Sequence, residues 1–134
     1  MTAVTTIEGI GASAARKLEK AGIRSTEQLL DACCDSEGRS RIAGETGIGE
    51  DRLLRLVNHA DLMRIRGIGG EFAEILEAAG VDSVPELAQR NADNLAASLS
   101  EVNAEKKLVR RIPTSKQLAG WIEEAGRLDS RVTH

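Results

Sequence analysis

Residues 7–30 read IEGIGASAARKLEKAGIRSTEQLL, and residues 65–88 read IRGIGGEFAEILEAAGVDSVPELA. The two stretches align without a gap. Ile7, Gly9, Ile10 and Gly11 match Ile65, Gly67, Ile68 and Gly69. Further on, Leu18, Ala21, Gly22 and Leu29 match Leu76, Ala79, Gly80 and Leu87. A repeat that keeps its glycines as well as its apolar positions decides the architecture, because each copy is then one structural unit.

Each copy parses in the same way. A Gly-Ile-Gly turn opens a helix. Ala14, Ala15, Leu18 and Ala21 form one apolar stripe of that helix, and Phe72, Ile75, Leu76 and Ala79 repeat it. Gly22 and Gly80 stand where a helix ends in a left-handed residue, a conformation only glycine adopts cheaply. Ser25 with Gln28, and Ser83 with Glu86, have the spacing of a capping box that starts the next helix. Pro85 falls in the first turn of that helix, where its missing N–H costs little.

Outside these cores the copies agree more loosely. In the first, Ile42 precedes Thr46-Gly47-Ile48-Gly49, and Leu53, Leu54, Leu56 and Val57 then make a helix from about Glu50 to Met63. In the second, Ile112 and Pro113 precede a Thr114–Gln117 capping box, and Leu118, Trp121, Ile122 and Ala125 make the closing helix. The boundary falls between residues 1–62 and 63–134. No flexible Pro/Gly/Ser linker separates the copies, so they are expected to pack together.

Composition agrees with an all-α chain. In 134 residues the only aromatics are Phe72 and Trp121, leaving Leu, Ile, Val and Ala to build the core. Eight basic groups face ten acidic ones in residues 1–62, and ten face eleven in residues 63–134, giving −2 and −1. Neither half is basic, which weighs against a non-specific nucleic-acid binder working through its total charge.

Residues 7–30 and 65–88 resemble the helix-hairpin-helix motif. GIGASAARKLEKAGIRSTEQLL is similar to the small helical domains of bacterial RNA polymerase alpha subunits and to the N-terminal domains of archaeal and eukaryotic strand-exchange recombinases. About 120 residues of the chain resemble an uncharacterised bacterial family, domain of unknown function 4332. The resemblance implies two tandem helix-hairpin-helix (SAM-like) units packed into one compact helical domain. It also implies sequence-independent contact with the backbone of double-stranded DNA.

The physical basis is the exposed start of a helix, where free N–H groups and the positive end of the helix dipole hold a phosphate oxygen. Such contacts position a protein without reading bases. On the first turn the candidates are Gly9, Ile10, Gly11, Ala12 and Ser13, with Arg16, Lys17 and Lys20 behind them. On the second they are Gly67, Ile68, Gly69 and Gly70. There the pattern departs from the family, because Glu71 and Glu74 repel phosphate and Arg64 and Arg66 offset them only in part. The first turn is therefore the stronger candidate. The plain alternative for each turn is a compact connection between packed helices, with the Ile buried. Gly47 to Gly49, followed by Glu50 and Asp51, is expected to be a helix start only.

Lys106, Lys107, Arg110 and Arg111 form the one dense basic cluster. At helical spacing Lys107 shares a face with Arg111, and Lys106 with Arg110. That face is either solvated, a second backbone contact, or a site for an acidic partner.

No catalytic set emerges, and neither a cofactor nor a metal is expected. His59 is a lone histidine within a helix and His134 the final residue; neither has metal-ligand spacing around it. Cys33 and Cys34 are adjacent, unsuited to a mutual disulfide, and expected at a helix end in a reducing cytoplasm. The acidic residues are expected on exposed helix faces. Met1 to Thr6 carries no basic stretch or long apolar run, so no signal peptide is expected, and no run approaches a membrane span. Two functions remain: a non-enzymatic nucleic-acid module, or a protein–protein adaptor that has lost DNA binding, which the acidic balance favours.

Overall fold

A computed structural model describes residues 2–133; His134 lies outside them. The chain is all-helical. After a single 3-10 turn at Val4–Thr6 come α1 (Gly11–Lys20), α2 (Thr26–Cys33), α3 (Ser36–Thr46), α4 (Glu50–Leu62), α5 (Gly70–Ala78), α6 (Val84–Ala88), α7 (Ala92–Lys106) and α8 (Ser115–Arg127). Among the described residues there is no β-strand, only an isolated bridge between Ala3 and Ser25.

The aligned stretches close their first helices identically. Gly22 and Gly80 have φ of 88° and 93°. The N–H of Ile23 donates to the Leu18 carbonyl at 2.9 Å, and that of Val81 to Leu76 at 2.8 Å. Gly22 and Gly80 donate in turn to Glu19 and Glu77, completing the paired bonds that satisfy the last carbonyls of a helix. Ile23 and Val81 are buried after the stop. Ser25 and Gln28 form the full capping box, as do Thr114 and Gln117. Ser83 caps α6 with its hydroxyl alone, because the Glu86 carboxylate swings forward to Arg90 at 2.9 Å instead of back to the Ser83 N–H.

Two apolar cores result. One gathers buried residues from Val4 to Ala60, the other from Leu62 to Ala125, and Met63 packs against both. In the first, α2 lies against α3 and α4; in the second, α8 lies against α6 and α7. Polar ties cross between the halves. Asp61 is fully buried; its Oδ2 accepts from the Val84 N–H at 3.2 Å and its Oδ1 pairs with Arg64 at 2.8 Å. The expectation of exposed carboxylates therefore fails at Asp61, where two charge-assisted bonds offset the burial. After α8 the chain returns to the first half. The Thr133 N–H donates to the Cys34 carbonyl, and buried Arg39 bridges the Cys33 and Thr133 carbonyls. Cys33 is buried at the end of α2, and burial raises its thiol pKa to about 11, far from a reactive thiolate.

α7 stops at Lys106. Lys107 caps it in the left-handed region (φ 52°), and the Asn103 side chain binds both the N–H and the carbonyl of Val109. The following residues loop round, so the helical face expected for Lys107, Arg110 and Arg111 does not exist.

Candidate nucleic-acid interface

The first turn is open. Gly9 and Gly11 have φ of 77°, and Ile10 between them is buried, so the side chain anchors the turn while the backbone faces outward. α1 starts with no side-chain cap and no acidic residue in its first turn. Gly11, Ala12, Ser13 and Arg16 are exposed. A depression of about 290 Å³ lies over this start, lined by Glu8, Gly9, Ile10, Gly11, Ala12 and Ala15 among others. Uncapped N–H groups at a helix start are the geometry in which an anion displaces water at small cost.

α4 adds what local sequence could not show. Arg52 Nη2 donates to the Ile10 carbonyl at 2.7 Å, fixing the turn from outside and leaving its other donors available. The Arg55 guanidinium lies over Gly9, its Nη1 and Nη2 at 3.8 and 3.9 Å from where a Cβ on that glycine would stand. Two arginines from a helix about forty residues downstream thus frame the turn. Their signal was an i, i+3 basic pair on the helix that closes the first core.

The second turn is flanked by side chains, although Gly67 and Gly69 are themselves exposed. Trp121 of α8 places its indole nitrogen 3.1 Å from the Cβ position of Gly67 and stacks at a tilt on Phe72, with ring centroids 5.5 Å apart. Glu124 of the same helix accepts from the Arg66 N–H at 3.1 Å. On the other side the Thr6 carbonyl meets the α carbon of Gly70 so closely that a Cβ would collide with it, and the Glu8 side chain follows. Gly69 is extended where Gly11 is left-handed, so the two turns differ in backbone as well as in flanking side chains. Arg64 is spent on Asp61 and on the Asp129 carbonyl, and does not offset Glu71 and Glu74.

The chain matches the family described as Domain of unknown function (DUF4332) over residues 8–128. It belongs to that family. No curated protein and no solved structure matches it. The family description states no activity.

The remaining candidate residues of the DUF4332 chain fall in separate places. Lys17 and Lys20 sit in the last turn of α1, where a rise of about 1.5 Å per residue puts Lys20 roughly 13 Å from Gly11. They line a second depression with Glu45 and Thr46 instead of the turn. Arg110 and Arg111 line a third with Ser100, Asn103 and Ile112, and Lys106 and Lys107 are exposed at the end of α7. Gly47 ends α3 in the left-handed region and Gly49 starts α4, with Glu50 and Asp51 at the helix start. Among the described residues no group of three or more His, Cys, Asp or Glu is placed to hold a metal ion, and no helix is long and apolar enough to cross a membrane.

Proposed function

We propose that this chain is a non-catalytic helix-hairpin-helix module that grips a nucleic-acid backbone, without reading sequence, through its first Gly-Ile-Gly turn. The observation that carries this is the contrast between the turns. Both helix starts lack a side-chain cap, but the first has no acidic residue in its first turn and is framed by Arg52 and Arg55, while the second begins with Glu71, is flanked by Trp121 and has the Glu124 carboxylate bound at Arg66 just ahead of it. A net charge of −3 weighs against binding through total charge, but backbone contact needs only a local arrangement of donors. The acidic balance favours the second function, a protein adaptor, in which the same turn would be a connection and nothing more.

Fluorescence anisotropy with a short labelled DNA duplex, titrated at several salt concentrations, separates the two. A module gripping phosphates loses affinity log-linearly with salt, with a slope that counts them. Ala12→Asp is the sharper variant. A carboxylate at this exposed first-turn position favours the helix dipole by about 0.3–1 kcal/mol and repels phosphate. The expected outcome is an unchanged or higher melting temperature with duplex binding lost. Equal binding by the variant contradicts the site. Absence of wild-type binding at about 50 mM salt and protein near 10⁻⁴ M contradicts the function.

A further inference from the structure

We infer that Glu77, a residue of the second half, is a positioning residue for the anion site of the first. The inference rests on backbone binding at the first turn. Arg55 would contact the phosphate; Glu77 would aim it. Glu77 Oε1 takes the Arg55 Nε at 3.1 Å, and Oε2 lies 3.0 Å from His59 Nε2. His59 is 1% exposed, so Oε2 rests against a buried ring. Neither ring nitrogen of His59 makes a well-aligned hydrogen bond, so the Arg55 contact is the directional one.

A free arginine side chain gives up rotamer freedom when ordered. Holding Arg55 by its Nε orders it beforehand and leaves the two terminal nitrogens turned to Gly9. Preorganisation of this kind raises affinity by lowering the cost of binding. The halves then have a division of labour. The second copy supplies from α5 the carboxylate that orders the arginine of the first.

The test turns on a sign. Removing a negative charge beside an anion site tightens binding if charge alone matters. Glu77→Gln is expected instead to weaken binding of a labelled duplex about threefold to tenfold, and to collapse the ordered Arg55 Nε–H signal in ¹⁵N NMR. Arg55→Lys keeps the charge but loses the fork; it is expected to show a similar loss, which adding Glu77→Gln does not deepen. Wild-type binding with an equal or tighter Glu77→Gln overturns the positioning role alone. Failure of the wild type to bind overturns the function in the preceding subsection and this role with it. If Glu77→Gln does not fold, Arg55→Lys decides by itself, and wild-type affinity in that variant overturns the proposal.

Discussion

Glu124 Oε2 accepts a hydrogen bond from the Arg66 backbone N–H at 3.1 Å, so the second Gly-Ile-Gly turn carries an internal carboxylate. At the corresponding position of the first copy, Glu8, no side chain of α4 does the same; α4 sends Arg52 and Arg55 to the first turn instead. Two stretches that share the same turn and helix-stop residues thus meet opposite charges from the helices that close their cores. The charge that each turn meets is set by those helices, on top of the difference in backbone between Gly11 and Gly69.

Removing the internal anion should partly convert the second turn. The double variant Glu124→Gln with Glu71→Gln is expected to bind a labelled duplex more tightly than wild type. Its salt dependence should steepen by about one phosphate equivalent. Salt-series anisotropy measures both. An unchanged slope would show that Trp121 and Thr6 close the turn whatever the charge.

Gly70 is required by the contact between halves. A Cβ there meets the Thr6 carbonyl, whereas nothing lies within 4 Å of one added at Gly69, which has an ordinary extended backbone. Gly70→Ala should lower stability by about 1–3 kcal/mol as an overpacking change, despite the roughly 1 kcal/mol that alanine gains over glycine within a helix. Gly69→Ala should be close to neutral. Urea unfolding followed by circular dichroism compares them, and equal stabilities would place the first half elsewhere.

Stability should depend on pH through His59. Burial holds its pKa below the ordinary 6.5 or so; Glu77 and Glu74 pull it up and Arg55 pushes it further down, and burial prevails. The unfolded imidazole therefore takes a proton more readily than the folded one. The stabilisation is complete above about pH 6.5 and is lost as pH falls from there through the depressed folded value. Urea midpoints at pH 8 and pH 5.5 should differ in wild type and differ less in His59→Gln. The same pH dependence in both proteins would assign it to another group.

The parts legible in the sequence were those set by neighbours in the chain. Gly22 and Gly80, the Ser25–Gln28 and Thr114–Gln117 boxes, and the end of α2 at Cys33 all rest on contacts within a few residues. What escaped depends on contacts across distance or on local competition. Arg52 and Arg55 gain a role only because packing returns α4 onto a turn some forty residues earlier. Lys107, Arg110 and Arg111 lost their helical face because Asn103 binds Val109 in preference to letting α7 continue. α3 gave little periodic signal, since its buried positions are Gly38, Arg39 and Ile42, and the Arg39 guanidinium is held there by carbonyls that the pattern does not reveal.

The most direct measurement is a ¹H–¹⁵N NMR titration of the protein with a short DNA duplex, following the backbone amides of both turns. Shifts are expected at Gly9, Gly11, Ala12 and Ser13 and at the Arg52 and Arg55 side chains, with Gly67, Gly69 and Gly70 unmoved. Shifts centred on the second turn, or none on either, would contradict the proposed site.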